Sequence, residues 1–525
     1  MFFYLLFFIA LFLTPTVASA DGGIWMGRFQ NWTDGIQWSV VIGFISAILI
    51  SYFVLRQLLR SLKNIDLLDH FHLRQFVKSR WYPFVFQFPA LILFGFIFYY
   101  LFFGSYYYSE NPASILTWTF WWALLPLSFI LVGRIWCAIC PFAWISDLAQ
   151  KYFGKFKRPP GWLVKYSFWI VDAIFLLITW FDRVYGMTQR PFITGLVFVG
   201  LLLGVAVCGL LYERRVFCRY VCFLGNVAGT YSMAAPFELK AKNPEICAKC
   251  TGKFCFAGQL PDAQGKGAKP SCPFYQVIPS KEGNRFCTLC GNCVKACPHD
   301  NISFGLRPFG SDFWKKLYVT FDESFFAKML VGIVILQNIG MLTLWNSFSD
   351  LIKNSTGIQN EKAIFTIAYI LSIGIPLLLM FLTSWISTKA GKNLINGIKE
   401  KTMQNFARFG YAFVAVDLAG HLAHNFNHFF GEGKTVLAAF AGLFSGEVQQ
   451  MIFSWLLNYG TVRVMQYIIL TLGLIGTFFI TYRIAKRTAQ TRRQLILTTA
   501  PHILLLVALI IFNFYIFSLP MTHRS

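Results

Sequence analysis

Three observations predict an all-α polytopic membrane protein interrupted by one soluble α+β insert. The 525-residue chain is 56% hydrophobic and 18% aromatic, and only 13% of it is charged. Soluble globular proteins carry about 25% charged residues, so this deficit points to lipid. Apolar runs close to the ~20 residues that a helix needs to cross a bilayer recur along the chain. Between Glu213 and Glu323 they give way to a polar stretch rich in Cys, Pro and Gly.

The first element, "MFFYLLFFIALFLTPTVASA" over 1–20, is a short apolar run closing on Ala18-Ser19-Ala20. It reads as a secretory signal peptide, or as a first anchor, since no Lys or Arg precedes the apolar stretch. Ten runs follow, at 37–55, 82–103, 115–135, 163–183, 191–212, 325–347, 363–387, 406–428, 464–482 and 494–518, for about ten transmembrane helices. They divide into a five-helix membrane bundle over 21–212 and a second over 325–525, with the insert at 213–324. Threaded alternately, they gather "RQLLRSLK", "KYFGKFKRPP", "YERRVFCR", "KAGKNLINGIKEK" and "RIAKRTAQTRR" on one face. The positive-inside rule makes that face, and the insert with it, cytoplasmic, in a bacterial inner membrane. Counting "TVLAAFAGLFSGEVQQMIFSWLLNYG" as a span sends "RIAKRTAQTRR" to the other side, so this run is expected to be interfacial or re-entrant. The same loops account for the net charge of +23, and nucleic acid is not an expected partner.

Thirteen cysteines cluster in CxxC-like groups on the expected reducing side, which reads as metal binding rather than disulfides. "RFCTLCGNCVKACPHDN" carries Cys287-x2-Cys290-x2-Cys293-x3-Cys297-Pro298, the bacterial [4Fe–4S] spacing in which the fourth cysteine serves the other cluster. Zinc is the competing reading. Upstream stand Cys247-x2-Cys250-x4-Cys255 and Cys272-Pro273, separated by a Gly/Lys/Pro loop. A loop can lengthen at small entropic cost, so the insert is expected to be a two-cluster ferredoxin-like module with crossed ligands. Cys287, Cys290 and Cys293 with Cys272 would hold one cluster, and Cys247, Cys250 and Cys255 with Cys297 the other. Two further pairs, Cys137-x2-Cys140-Pro141 and Cys218-x3-Cys222, follow apolar runs beside Arg134, Arg214, Arg215 and Arg219. They read as a third metal or redox site, or as reduced thiols packed on the bundle. Cys208 reads as ordinary core.

With these residues in view the chain resembles the membrane-bound polyferredoxins of the NapH/NosR type. The likeness rests on "GRIWCAICPF", "CRYVCFLGN" and the paired groups ending in "CVKACPHDNI", over roughly 115–305. The family pattern at the first two places is C-x3-C-P. Here two residues separate Cys137 from Cys140, and Phe223 stands where the second motif has Pro. The resemblance implies electron transfer between the quinone pool and cytoplasmic-side iron–sulphur clusters.

In the C-terminal half, "VAVDLAGHLAHNFNHFFGEG" places Asp417, His421, His424 and His428 at i, i+4, i+7 and i+11, one face of the eighth run. Ionisable residues within a span mark a functional site by default. A haem is disfavoured, because His502 on the tenth run differs from His421 in depth by roughly 10 Å at 1.5 Å per residue. The preferred reading is a quinol or proton site near the outer face, with Asp417, His421 and His424 as reacting groups. A metal site using His428 and Glu432 competes, as do packed, hydrogen-bonded histidines. The expected function is electron transfer between quinol or quinone and two [4Fe–4S] clusters, toward a separate soluble or membrane redox partner. The alternatives are a copper reductase or assembly factor of the CcoG-like branch, a redox-sensing regulator and a transporter.

Overall fold

The computed structural model describes residues 36–519 apart from 62–65, 261–267, 282, 316–318, 341, 343, 396–397, 432 and 446–456. The expected leader at 1–20, Glu432 and part of the apolar run after Thr435 lie outside these residues. Every one of the ten expected runs is largely helical. Seven helices among the described residues are long and apolar enough to cross a membrane. They are α1 (Trp38–Ser61), α3 (Phe84–Phe103), α4 (Pro112–Val132), α7 (Pro191–Leu211), α11 (Glu361–Gly391), α15 (Tyr459–Lys486) and α16 (Arg492–Ser518). The shortest, α3, has 20 residues, about 30 Å at 1.5 Å per residue and so one hydrocarbon thickness. The second and third turns of α4 are π-helical, over Ile115–Trp121.

The other three expected spans are helical but polar: α6 (Ser167–Tyr185), α10 (Phe321–Ile339) and α13 (Val414–Gly431). Helix α6 carries Asp172, Asp182 and Arg183, α10 carries Asp322, Glu323 and Lys328, and α13 carries Asp417 and the histidines. Most of these side chains point into the protein. Asp172, Glu323, Lys328, Asn338 and Asp417 are all buried, and the Lys328 ammonium donates to the Phe406 carbonyl at 2.8 Å. Helices α10 and α13 are packed around by α4, α11, α15 and α16, so their polarity faces neighbours rather than lipid. One hydrophobic core joins both halves of the chain, from Leu125 and Phe175 through Phe326 and Leu330 to Leu506 and Ile510. The helix α14 (Gly433–Ser445) has 13 residues, and its Val436, Ala439 and Leu443 pack on Ile97, Leu101 and Ile115.

The insert is built around an antiparallel pair, β1 (Phe237–Ala241) and β2 (Ile302–Leu306), with Phe237 opposite Leu306 and Ala241 opposite Ile302. The stretch between α1 and α3, with α2 at Phe71–Lys78, clamps it to the membrane helices. Phe304 N–H donates to Asp66 at 2.9 Å, Lys242 pairs with Asp66, and the Tyr82 hydroxyl donates to the Leu289 carbonyl at 2.6 Å. Gly291 caps α9 (Asn292–Ala296) at φ +74°, and a Cβ there would lie 2.9 Å from Val77 and 3.0 Å from Tyr82. Only glycine meets both the conformation and the close approach.

Beyond β2, Arg307 pairs with Asp312, both buried, and donates to the Ala235 and Met233 carbonyls at 2.9 and 3.1 Å. Asp312 also accepts from the Asn284 N–H at 2.8 Å, tying the module to the segment that follows β2. Asp312→Asn leaves a guanidinium buried without its counter-charge. It is expected to lower stability by about 3–5 kcal/mol, measured by denaturant unfolding in detergent.

Candidate functional site

The strand pairing decides which cysteines meet. Because Ala241 lies opposite Ile302, the chain leaving β1 runs beside the chain entering β2. Asn301 bridges the two: its side-chain N–H groups donate to the Asn243 carbonyl at 2.7 Å and to Cys247 Sγ at 3.2 Å. Its backbone N–H donates to Cys297 Sγ at 3.4 Å. Burial raises the Cys255 pKa, and the charges of Cys247, Cys297 and Cys250 raise it further. These four thiols line one small cavity with Phe254, Pro298 and His299.

A second group forms on the membrane side of the module. Burial pushes the Cys293 thiol well above its usual pKa, followed by Cys287, Cys290 and Cys272. Cys272 is pushed up to about 11 by burial, with Cys290 and Cys287 adding to it and the Gln276 N–H opposing. Asn292 donates to the Ser271 carbonyl at 3.0 Å, which holds the loop carrying Cys272 against α9.

The remaining two pairs converge as well. Cys140 immediately precedes α5 (Pro141–Phe153) and Cys222 immediately precedes α8 (Phe223–Ser232). The Cys222 sulphur accepts from the first helical turn, Gly225 N–H to Sγ at 3.3 Å, and the Ala143 and Phe142 N–H groups of the other first turn act on Cys140. Phe223 thus occupies the first helical position that Pro141 occupies in the other pair, where proline is favoured but not required. Burial pushes Cys222 up to about 12, with Cys137 next and Cys140 contributing, and Cys218 feels Cys222, Cys140 and Cys137. Arg134 donates to Cys137 Sγ at 3.2 Å and to the Arg285 carbonyl at 2.9 Å. Arg215, paired with Asp147, donates to the Cys137 carbonyl at 2.9 Å and lies within electrostatic reach of both Cys218 and Cys290. It therefore stands between this group and the second one.

Three sets of four thiols with N–H donors aimed at sulphur are the donor chemistry of iron–sulphur clusters. Among the described residues no three His, Cys, Asp or Glu side chains crowd around a point that would suit one metal ion. A cubane gives each thiolate its own iron corner and so accepts the wider spacing.

The His face of α13 divides in two. Asp417 and His421 meet Tyr231 of α8, a residue with no sequence signal beyond its place in an apolar helix. The Tyr231 hydroxyl lies 2.6 Å from Asp417 Oδ2 and 3.2 Å from His421 Nδ1. His424 turns elsewhere, with Nδ1 at 2.8 Å from Asn338 Oδ1 and its ring 4.9 Å from that of His428. His502 joins neither pair: it stacks on Phe409 at 4.1 Å and meets Asn405 at 3.0 Å. His421 and Tyr231 border a narrow apolar cavity walled by Trp122, Phe129, Phe175, Leu330 and Val334. The chain breaks into a tight turn at Gly410–Ala412 before α13 starts. His421 is therefore about 10 Å from the module-side end of its helix, at 1.5 Å per residue. That is nearer the module than an unbroken helix from 406 implies.

The comparisons agree with the thiol chemistry. A family pattern described as a 4Fe-4S binding domain matches residues 114–160 and 193–237, which hold Cys137, Cys140, Cys218 and Cys222. A second, also described as a 4Fe-4S binding domain, matches 285–303 and takes in Cys287 to Cys297. A protein of Escherichia coli (strain K12) named "Putative electron transport protein YccM" is 28% identical over 214 residues, 35% of this chain and 56% of that one. An uncharacterised protein of Methanocaldococcus jannaschii is 24% identical over 190 residues, 34% of this chain and 66% of that one. The chain thus spans between about half and two thirds of the curated relatives it matches. No solved structure matches it. These findings support a helical membrane protein with iron–sulphur binding domains and electron transfer as its chemistry.

Proposed function

We propose that this chain moves electrons between a quinol in the α4–α8–α10–α13 cavity and the cysteine-bound clusters, toward a separate redox partner. This is the activity implied by its likeness to the NapH/NosR type. One observation carries the reading: His421 Nε2 is buried at the cavity and has no hydrogen-bond partner among the described residues. The tautomer follows from the contacts. Tyr231 has one hydroxyl proton and gives it to Asp417 at 2.6 Å, so His421 Nδ1–H donates to the Tyr231 oxygen. That leaves Nε2 as an acceptor facing an apolar, aromatic-walled cleft.

A quinol oxidised to quinone releases two electrons and two protons. His421 Nε2 accepts one hydroxyl proton; Tyr231 accepts the other at its oxygen and passes its own hydroxyl proton to the Asp417 carboxylate, which becomes the acid. The walls exclude water, and Asp417, buried beneath Tyr231, holds the imidazole in its accepting form. Iron–sulphur clusters at the three thiol groups supply one-electron carriers, which lets a two-electron donor be emptied in single steps. Arg215 and Arg134 link the groups and offset the negative charge of the thiolates. The Lys- and Arg-rich loops support a cytoplasmic module in a bacterial inner membrane. The copper reading has His424 and His428 as its donors, two rings 4.9 Å apart.

Iron and labile-sulphide analysis of the anaerobically purified chain tests the cluster number. About twelve irons per chain are expected if all three thiol groups are loaded, and about eight if only the module is. Fewer than about eight excludes two clusters in the module. Bleaching of the visible absorbance by a reduced quinone tests the donor.

A further inference from the structure

Between the cavity and the module lies a group of charges that the cysteines and the quinol do not use. Arg285 is buried and pairs with Glu323 at 3.1 Å. It also donates to Thr230 and Tyr411 at 3.2 Å each and to Asn226 at 2.8 Å, and it lies 5.2 Å over the Phe168 ring of α6. One turn along α6 from Phe168 is Asp172, only 3% exposed, whose two carboxyl oxygens have no hydrogen-bond partner among the described residues. Arg285 Nε is likewise unpartnered among the described residues. The charged groups acting on Asp172 are Arg285 and Asp322. Arg285 in turn feels Glu323, Asp172 and Asp322. One guanidinium thus faces three carboxyl groups, and it can neutralise one of them. A buried carboxylate without a hydrogen-bond partner is costly, so Asp172 favours its neutral acid form.

The placement gives this surplus a direction. Phe175, three residues beyond Asp172 on the same face of α6 and about 4.5 Å further along its axis, walls the cavity. Thr230, which Arg285 holds, is the neighbour of Tyr231 on α8. On the other side Asp322 is only partly buried, at the module-side start of α10. Arg285 Nε and both Asp172 oxygens are thus buried polar atoms without partners among the described residues.

We propose that Asp172 is a proton-relay carboxyl. It receives protons released at the His421–Tyr231 cavity and passes them by way of Asp322 to water on the module side. The relay rests on the quinol reading of that cavity. For each quinol, two O–H bonds break and two electrons leave one at a time. The two protons cross Asp172 in turn: its carboxylic acid releases a proton toward Asp322 and takes one from the cavity, so that the group ends each transfer as it began.

The test uses the full chain in lipid nanodiscs, a short-chain quinol as donor and dithionite as a donor that bypasses the cavity. Asp172→Asn keeps size and polarity but carries no exchangeable acid proton. It is expected to slow quinol bleaching at least about tenfold, with iron content and dithionite bleaching unchanged and Asp172→Glu restoring most of the rate. Redox-difference infrared spectra add a readout that a packing role does not move. A carboxylic C=O signal that shifts in D2O is expected in the wild type, and Asp172→Asn is expected to lose the Asp172 component while the Asp417 component stays. Wild-type bleaching rates in Asp172→Asn, or a carboxylic region identical in both proteins, overturn the relay alone. A wild type that quinol does not bleach overturns the cavity reading and the relay with it.

Discussion

His421→Ala is expected to abolish quinol-driven reduction of the purified chain, slowing it by about 10²–10⁴-fold, while leaving dithionite reduction and iron content at wild-type levels. The size is that of a positioned general base. Its cause is specific: Nε2 is the cavity's unpartnered ring acceptor, and it is an acceptor only because Tyr231 and Asp417 claim the Nδ1 side. His424→Ala provides the contrast. His424 engages Asn338 and its ring lies against His428, away from Tyr231, so its loss is expected to leave quinol bleaching within a few-fold of wild type. Equal losses in the two variants would mean that the whole histidine face, not the cavity, matters.

Single-cysteine variants carry the second large effect. Cys272→Ala and Cys290→Ala are each expected to remove the same cluster, about four irons per chain, and the double variant to lose no more than either single one. Cys297→Ala removes a different cluster, so Cys290→Ala with Cys297→Ala is expected to lose about eight. The EPR spectrum of the reduced protein separates the cases, because each single loss leaves one module spin in place and ends its interaction with the other. If Cys290→Ala and Cys297→Ala prove equivalent, the crossed arrangement is wrong and the Cys287–Cys297 run is self-contained. The crossing has a structural basis in the register of β1 and β2. It lays Asn243 beside Asn301 and so puts Cys247 under the Asn301 side-chain amide and Cys297 under the backbone N–H of the same residue.

Much of this was legible in the residues. The spacing of Cys287, Cys290, Cys293 and Cys297-Pro298 belongs to a local loop whose ligands come from adjacent turns. The apolar runs announce themselves because transfer into lipid depends on composition over one helix length. Helices α6, α10 and α13 mark the limit of that signal. Hydropathy gives each a broken score, and only the packing shows that Asp172, Lys328 and Asp417 turn inward, away from lipid.

The candidate site was half legible for the same reason. Helical periodicity puts Asp417, His421, His424 and His428 on one face, but it cannot say what each meets. Tyr231 reaches the first two from α8, and Asn338 reaches the third from α10, at different depths. The Gly410–Ala412 turn, which moves His421 toward the module, has no effect on the periodic pattern that follows it. Likewise, the Cys137 and Cys218 pairs differ in spacing and in one proline, which obscures their equivalence. In space both end on a cysteine that caps a helix, and they face each other.

By itself, then, the sequence determined the kind of chemistry, thiol ligation of iron and sulphur, and the solvent in which the helices stand. Both follow from short-range facts: the spacing of a few residues and the polarity of a single helix. Only the tertiary structure decided which thiols share a site, which histidine opens on a cavity and that Asp172 lies between that cavity and Arg285. Those are meetings of side chains from distant segments, set by how the helices pack.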